Sequence, residues 1–509
     1  MLLLRNSPRM VRIIEHVMTA SKYQPIIGLE IHARIATKSK LFCRCANEAG
    51  EIKPNTNICP ICTGMPGQLP LFNEKALEYG VKTALALNCE IPSSARFDRK
   101  NYFYPDLPKG FQISQYNQPI ALRGKLTIFL PSPQKTGLAE KTINITRLHL
   151  EDDAGKLTHV GEVSLVDFNR SGTPLMEIVT EPDLRSAEEA KIFLQEMRNL
   201  LRTVGTSEAN MEKGQMRCDA NVSLQVTKAD GSKVSTPISE IKNLNSFRAV
   251  DKALSFEIER LQEQWEQEGK TRAEVGKVTV GWNPDKEMTF IQRTKEETHD
   301  YRYFPEPDLP ALAIASDFVE RLRAELPELP LARFQRMKAA YELADEDARI
   351  LVSKQELANY YEAVTKASKN AKATTRWLLN EFQAAKPAEA AWTDITESPV
   401  QPAQIAALIK LIDAGKITGK IAKDIFGQML ASGKDPAALV ADMGVEQVSD
   451  AGELEAICQA VIKENPDPAA QVRQGKAQAI TFLIGKVMQK SKGQANPGMV
   501  NQILKKLLK

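Results

Sequence analysis

Long apolar runs are missing from this chain. No stretch approaches the ~18 residues that a membrane-spanning helix needs, so the sequence does not read as a helical membrane protein. Cysteine is scarce: seven in 509 residues do not suggest a disulfide scaffold. Neither sign of charge dominates. The net charge is only +3, so any contact with a polyanion must come from a local basic face. The phosphate-cradling loop G-x-x-x-x-G-K-[ST] is absent. Gly415 to Lys420 falls one residue short of it, and Gly427 to Lys434 runs one too long. The nucleophile elbow G-x-S-x-G is also absent.

What remains is the composition of a globular protein, 43% hydrophobic and 26% charged. The length exceeds what one hydrophobic core supports, which predicts two to four domains. Residues 1–22 carry Arg5, Arg9 and Arg12, the short apolar run Met1–Leu4 and one acid, Glu15. They read as an N-terminal extension with Met18 as an alternative start, a transit peptide being the other reading.

Residues 23–312 predict a mixed α/β domain. Ile27, Leu29, Ile31, Ala33 and Ile35 alternate with Glu30, His32 and Arg34, the pattern of a half-buried strand over Ile26–Ile35. Further strands are expected at Leu126–Leu130, Thr142–Leu150, Glu162–Phe168, Leu175–Thr180 and Ala220–Gln225. Ser186 with Glu189 makes a capping box for a helix that Gly205 ends. A second helix is expected from Ser246 to Trp265, with Phe247, Val250, Leu254, Ile258 and Leu261 as its stripe.

Beyond Pro310 the composition turns to Ala, Leu, Glu and Lys, which predicts a helical domain over 313–398. Pro387, Pro399 and Pro402 mark a linker. Residues 399–509 read as an all-α tail. From Arg473 onward this tail has eight basic residues and no acid. Arg473, Lys476, Lys486, Lys490, Lys492, Lys505 and Lys506 therefore form a candidate surface for a nucleic-acid backbone, against the simpler reading of a solvated helix face.

Two constellations carry chemistry. Cys43 and Cys45 are followed by Cys59 and Cys62. Two close pairs can bring four thiolates to one tetrahedral Zn²⁺, and a site filled by four protein ligands is structural. The second constellation is acidic. Glu30 and His32 point the same way, about 6.6 Å apart along one strand. Glu151, Asp152 and Asp153 crowd a strand end, and Glu177 sits inside an apolar run. A buried carboxylate without a partner is costly. A hard cation such as Mg²⁺, which also holds phosphate oxygens, would remove that cost. Other segments pair basic groups with aromatics as if to hold anions: Asp98–Tyr102, Tyr104–Lys109 and Asp300–Phe304.

On these motifs the chain resembles the B-subunit family (GatB/GatE) of the tRNA-dependent Asp/Glu amidotransferases. The resemblance rests on IIGLEIHARIATKSKLFCRC, CPICTGMPG, FDRKNYFYPDLPKGFQISQYNQPI, RLHLEDDAGK, SLVDFNRSGTPLMEIVTEPDLRS, MRCDANVSL, EIKNLNSF and HDYRYFPEPDLP, which run in order from residue 26 to 310. It implies an α+β protein: a cradle-like catalytic domain, a helical domain and a small YqeY-like tail. It implies a carbon–nitrogen ligase of translation, located in the bacterial cytoplasm or, as a second reading, the mitochondrial matrix. Such an enzyme uses ATP and Mg²⁺ to phosphorylate the side-chain carboxylate of Glu-tRNA(Gln) or Asp-tRNA(Asn). Glutamine-derived ammonia then displaces the phosphate. The implied partners are the amidase and a small third protein, which complete a heterotrimer, and the misacylated tRNA.

For the site, the resemblance implies Mg²⁺ on His32, Asp152 and Glu177, with Glu30 near a second cation. Family members usually have Glu at the position of Asp152. Asp is one methylene shorter, so its bond to the metal becomes water-mediated or Glu151 takes its place. Arg217, Asp219 and Lys242 fall in segments kept near the nucleotide. Cys43, Cys45, Cys59 and Cys62 match the zinc-bearing branch. The alternative is a zinc-stapled, tRNA-binding scaffold that performs no chemistry.

Overall fold

The computed structural model describes residues 22–48, 52–132, 137–293, 301–444, 451–474, 477–491, 495 and 497–508. The chain divides into two compact units between Arg333 and Phe334. Most of the N-terminal extension lies outside the described residues.

Among the described residues, the first unit is built on sixteen strands in chain order. They are β1 (Tyr23–Arg34), β2 (Ser94–Ala95), β3 (Asp98–Asn101), β4 (Phe111–Ser114), β5 (Ala121–Pro131), β6 (Leu138–Asp152), β7 (Lys156–Val160) and β8 (Val163–Asp167). Then follow β9 (Pro174–Thr180), β10 (Met216–Thr227), β11 (Lys233–Ser235), β12 (Ile238–Leu244), β13 (Lys277–Asn283), β14 (Met288–Arg293), β15 (Phe304–Pro305) and β16 (Leu312–Ala313). The main sheet runs β14-β13-β12-β10-β1-β9-β6-β5, with β11 beside β10. The predicted first strand is thus central, flanked by antiparallel β10 and β9. β12 and β13 pair in parallel, as a helical crossover between them permits.

Three helices cover one face: α1 (Glu74–Ala86), α2 (Ala187–Val204) and α3 (Phe247–Glu268). Ser186 caps α2 by accepting from the Glu189 N–H, and Gly205 closes it in the left-handed region. Ser246 caps α3 in the same way. Against these helices the sheet turns Ile27, Leu29, Ile31 and Ala33 of β1, Leu148 and Leu150 of β6, Met176 and Ile178 of β9 and Cys218, Ala220 and Val222 of β10, all buried. Because side chains alternate across a strand, burying this set sends the polar set to the opposite face. A second, three-stranded sheet (β15-β3-β4) supplies side chains that wall that polar face. Cys89, Cys218 and Cys458 are buried, as expected of core thiols.

The second unit is helical. Its last helices, from Ala451 to Leu507, share a core that includes Leu454, Cys458, Val461, Leu483, Val487, Val500 and Leu504. The segment read as a linker is packed instead. Ile395 and Val400 are buried, the Tyr360 hydroxyl donates to the Val400 carbonyl at 2.8 Å, and Pro402 opens the helix Pro402–Asp413. Its prolines shape a cap and a turn, and its apolar residues anchor it. Among the described residues, no helix is long and apolar enough to cross a membrane.

Candidate metal centre and its cavity

Register builds the site. His32 on β1 stands opposite Glu177 on β9, and Glu177 stands opposite His149 on β6. Glu151 follows two residues after His149 and so shares its face. His32 Nε2 lies 3.3 Å from Glu177 Oε2 and 3.5 Å from Glu151 Oε1. His149 Nε2 lies 3.3 Å from the same Glu177 oxygen and 3.7 Å from Glu151 Oε2. One ligand atom each from His32, Glu151 and Glu177 falls within 4.8 Å of the others. A neutral imidazole and two carboxylates make a donor set that suits a divalent cation, and His149 can donate to the carboxylates from behind, as an outer-shell group does.

Electrostatics agrees with that fit. Burial works against charge on His32, but its hydrogen bond to Glu177 and the fields of Glu177 and Glu151 prevail and raise its pKa to about 9. Burial also opposes ionisation of Glu177, yet His149 and His32 hold it well below the usual carboxylate range. The sign follows from linkage. In the metal-free protein the charged imidazole stabilises the fold fully below its ordinary pKa of 6.5, and that contribution is lost as pH rises through about 9.

The structure does not bring Asp152 into this cluster. As the next residue along β6 it points to the other face. There it is held by Lys109, accepts from the Ile113 N–H at 2.8 Å, and is buried. Glu151 stands where the cluster needs a carboxylate, which corrects the Asp152 expectation in favour of its neighbour. Glu30 lies in the adjacent row, opposite Asp219, and accepts from Asn221 Nδ2 at 3.0 Å.

The cluster floors a cavity of about 480 Å³. Asp219 and Lys242 line it, paired at 2.6 Å. Arg217 does not. Its guanidinium instead donates to Asp153 at 2.8 Å, beside Arg170. Sequence reasoning missed Lys277, which pairs with Glu240 at 2.9 Å in the same cavity. It also missed Arg147, Gln115 and Tyr116, which line the cavity together with Lys100. The basic and aromatic segments around residues 98–102 and 300–304 were the available signal, and Lys100, Tyr301 and Tyr303 come from them.

The four thiols converge as expected: the sulfurs of Cys43, Cys45, Cys59 and Cys62 lie within 4.8 Å of one another. Four thiolates on one zinc at ~2.3 Å would stand roughly 3.8 Å apart, so the set fits the ion. Lys40 supplies a second indication. It is buried, and its ammonium donates to the Asn57 carbonyl at 2.9 Å and to Cys62 Sγ at 3.6 Å. Bonding with Cys43, helped by the Cys59 N–H and Lys40, outweighs burial and draws the Cys62 thiol down to about 4. A buried cation beside four thiols suits the negative charge that four thiolates leave around Zn²⁺.

The loop is also tied across to the segment that leads into β9. Asn55 N–H donates to Asp167 at 2.9 Å, Asn57 N–H to Asn169 at 2.8 Å, and Ser171 hydroxyl to the Cys62 carbonyl at 2.9 Å.

In the tail, Arg473, Lys486, Lys490, Lys505 and Lys506 are exposed. Lys490 is paired with Glu464. Lys476 and Lys492 lie outside the described residues.

Together these features define an α+β protein whose polar sheet face carries a carboxylate–imidazole cluster able to hold a cation, in a cavity lined by both signs of charge. Residues 25–320 match the GatB/GatE catalytic domain, and residues 359–508 match the GatB domain. The chain is 46% identical over 489 residues to the B subunit of the aspartyl/glutamyl-tRNA(Asn/Gln) amidotransferase of Carboxydothermus hydrogenoformans, covering 95% of this chain and 98% of that one. It is 45% identical to the protein of the same name from Persephonella marina (96% and 100% covered) and 44% identical to that of Thermotoga maritima (96% and 99%). The chain belongs to the GatB family.

Proposed function

We propose that this protein uses ATP and Mg²⁺ to phosphorylate the side-chain carboxylate of Glu-tRNA(Gln), Asp-tRNA(Asn) or both, and that ammonia then converts the acyl phosphate to the amide. The observation that carries the reading is the convergence of His32, Glu151 and Glu177 on the floor of a cavity that also holds Lys242 and Lys277. A carboxylate is a poor electrophile, so activation must come first. Its oxygen attacks the γ-phosphorus while the bond to ADP breaks. Ammonia then adds to the acyl carbon, inorganic phosphate leaves, and a proton is lost.

Phosphoryl transfer asks the protein for in-line positioning and charge neutralisation rather than a nucleophile. When bound, Mg²⁺ supplies charge neutralisation on the phosphate oxygens. His32, Glu151 and Glu177 would hold it, with His149 orienting the two carboxylates. Glu30, braced by Asn221, lies beside Asp219 and would face a second cation. Lys242 and Lys277 offer charge to a polyphosphate. The four thiols would hold a structural zinc that fixes the loop leaving β1. The complex would assemble in the bacterial cytoplasm with an amidase that releases ammonia from glutamine and a small third protein.

Reconstitution with those two partners, ATP, glutamine and each misacylated tRNA tests the reading. Conversion should require ATP and release ADP in step with amide. Amide formation that proceeds equally without ATP would refute it.

The exposed lysines of the tail would grip the tRNA body. Replacing Lys486, Lys505 and Lys506 by Gln should weaken binding. It should also reduce the slope of log affinity against log salt by up to about three units, roughly 0.9 for each phosphate that is no longer neutralised. An unchanged slope would remove the tail from the interface.

A further inference from the structure

Beside the His32–Glu151–Glu177 cluster the same cavity is lined by three tyrosines, Tyr116, Tyr301 and Tyr303. Tyr116 and Tyr303 stack there, centroids 4.4 Å apart and planes at 14°. Tyr301 meets Tyr303 edge-on at 6.1 Å. The wall is built firmly. Buried Asp98 accepts from the Tyr116 N–H at 3.0 Å, and Asn101 binds the carbonyls of Tyr301 and Arg302 at 3.3 and 2.8 Å.

Three donors line the cavity with these rings. Lys100 Nζ lies 5.0 Å from the centre of the Tyr301 ring. Arg147 reaches over Tyr116 at 5.8 Å, and its Nε is buried without a partner. Gln115 is 1% exposed. Its oxygen accepts from the Leu150 N–H at 3.0 Å, which fixes the amide orientation and leaves Nε2 buried with no partner. Buried donors without acceptors are costly, so their partner belongs to a ligand. Lysine and arginine have no acceptor atoms at all, and the free corner of Gln115 is a donor.

We propose that this tyrosine-walled part of the cavity is the subsite for the side-chain carboxylate of the aminoacyl substrate, and that Lys100, Gln115 and Arg147 select that carboxylate over the carboxamide of the product. The inference rests on the phosphorylation reading above. A carboxylate only accepts hydrogen bonds and satisfies all three donors. A carboxamide turns its own N–H groups toward at least one of them and is rejected, because specificity against a near-isostere comes from polar groups left unpaired. The same residues would thus admit the substrate and expel the amide once it forms. The site adjoins the His32–Glu151–Glu177 cluster, so the held carboxylate has an oxygen free to face the nucleotide.

Gln115→Glu is the informative variant. It keeps the acceptor for Leu150 and puts an acceptor where the donor stood. In the reconstituted complex, the preference for Glu-tRNA(Gln) over Gln-tRNA(Gln), measured by equilibrium binding without ATP, should fall by about tenfold or more. Lys100→Met should lower the same ratio, and KM for ATP should stay within about twofold of wild type in both variants. An unchanged ratio in both overturns the subsite, whether or not the complex consumes ATP. A shifted ratio in the variants, with a wild-type complex that consumes no ATP, would keep the subsite and overturn phosphorylation instead.

Discussion

Replacing Glu177 by Gln should reduce ATP-dependent activation of the aminoacyl carboxylate by about a thousandfold while leaving tRNA affinity unchanged. Glu177 Oε2 is shared by two imidazoles at 3.3 Å each, so it is the one oxygen on which the cluster converges. Gln has the same shape but no charge, and its amide cannot serve both histidines and a cation. Removing one preorganised electrostatic contact from a buried site costs on the order of 10²–10³ in rate, and here the metal's seat is weakened as well. Mn²⁺ binding, followed by electron paramagnetic resonance, should weaken in parallel. The metal-free protein should also change its response to pH. The stability that charged His32 contributes below pH 6.5 and loses through about 9 should shrink once its first partner is neutral. Phosphotransfer at the wild-type rate would remove this cluster from the chemistry and favour a scaffold that only presents tRNA.

The second large effect is expected at the thiols. Cys59→Ser should abolish retention of about one zinc per chain and lower the melting temperature by roughly 10 °C, since losing a metal is among the few single changes that cost several kcal/mol. A chelator should do the same to the wild type and nothing further to the variant. Lys40→Met keeps all four sulfurs, yet it should release zinc about tenfold more readily, the usual penalty for losing an outer-shell group. The damage should extend to the His32–Glu151–Glu177 cluster. The loop is bonded to Asp167, Asn169 and Ser171, which lead into the strand that carries Glu177. Melting that ignores both chelator and mutation would show that no structural metal is present.

Much of this was legible in the sequence where periodicity speaks. The alternation from Ile27 to Ile35 showed a strand with one polar face, and the caps at Ser186 and Ser246 showed where two helices begin. Asp152 shows where the reading fell short. The resemblance pointed to position 152, but His149 and Glu151 have the same parity on one strand and Asp152 has the opposite one. Parity alone would have put Glu151 on the His32 face. The tyrosine wall was not legible as a wall. Tyr116 and the 301–303 segment meet only through a small sheet formed by distant strands, and no local pattern encodes that meeting. Arg217 likewise stands opposite His32 in register, but what a long side chain bonds to, here Asp153, is decided by neighbours that a one-dimensional reading cannot place.

Central placement of β1 has a consequence for synthesis. Among the described residues it is made before both of its neighbours, which come much later, and the bond that braces Glu30 joins residues 191 positions apart. Until β9 and β10 emerge, Ile27, Leu29 and Ile31 have no partner strand on either side. Pairings this distant in sequence form slowly, and the exposed edges invite association between nascent chains. The arrangement that places Glu30 and His32 on a central strand therefore leaves both edges of β1 unpaired in the nascent chain until the residues of β9 and β10 have been made.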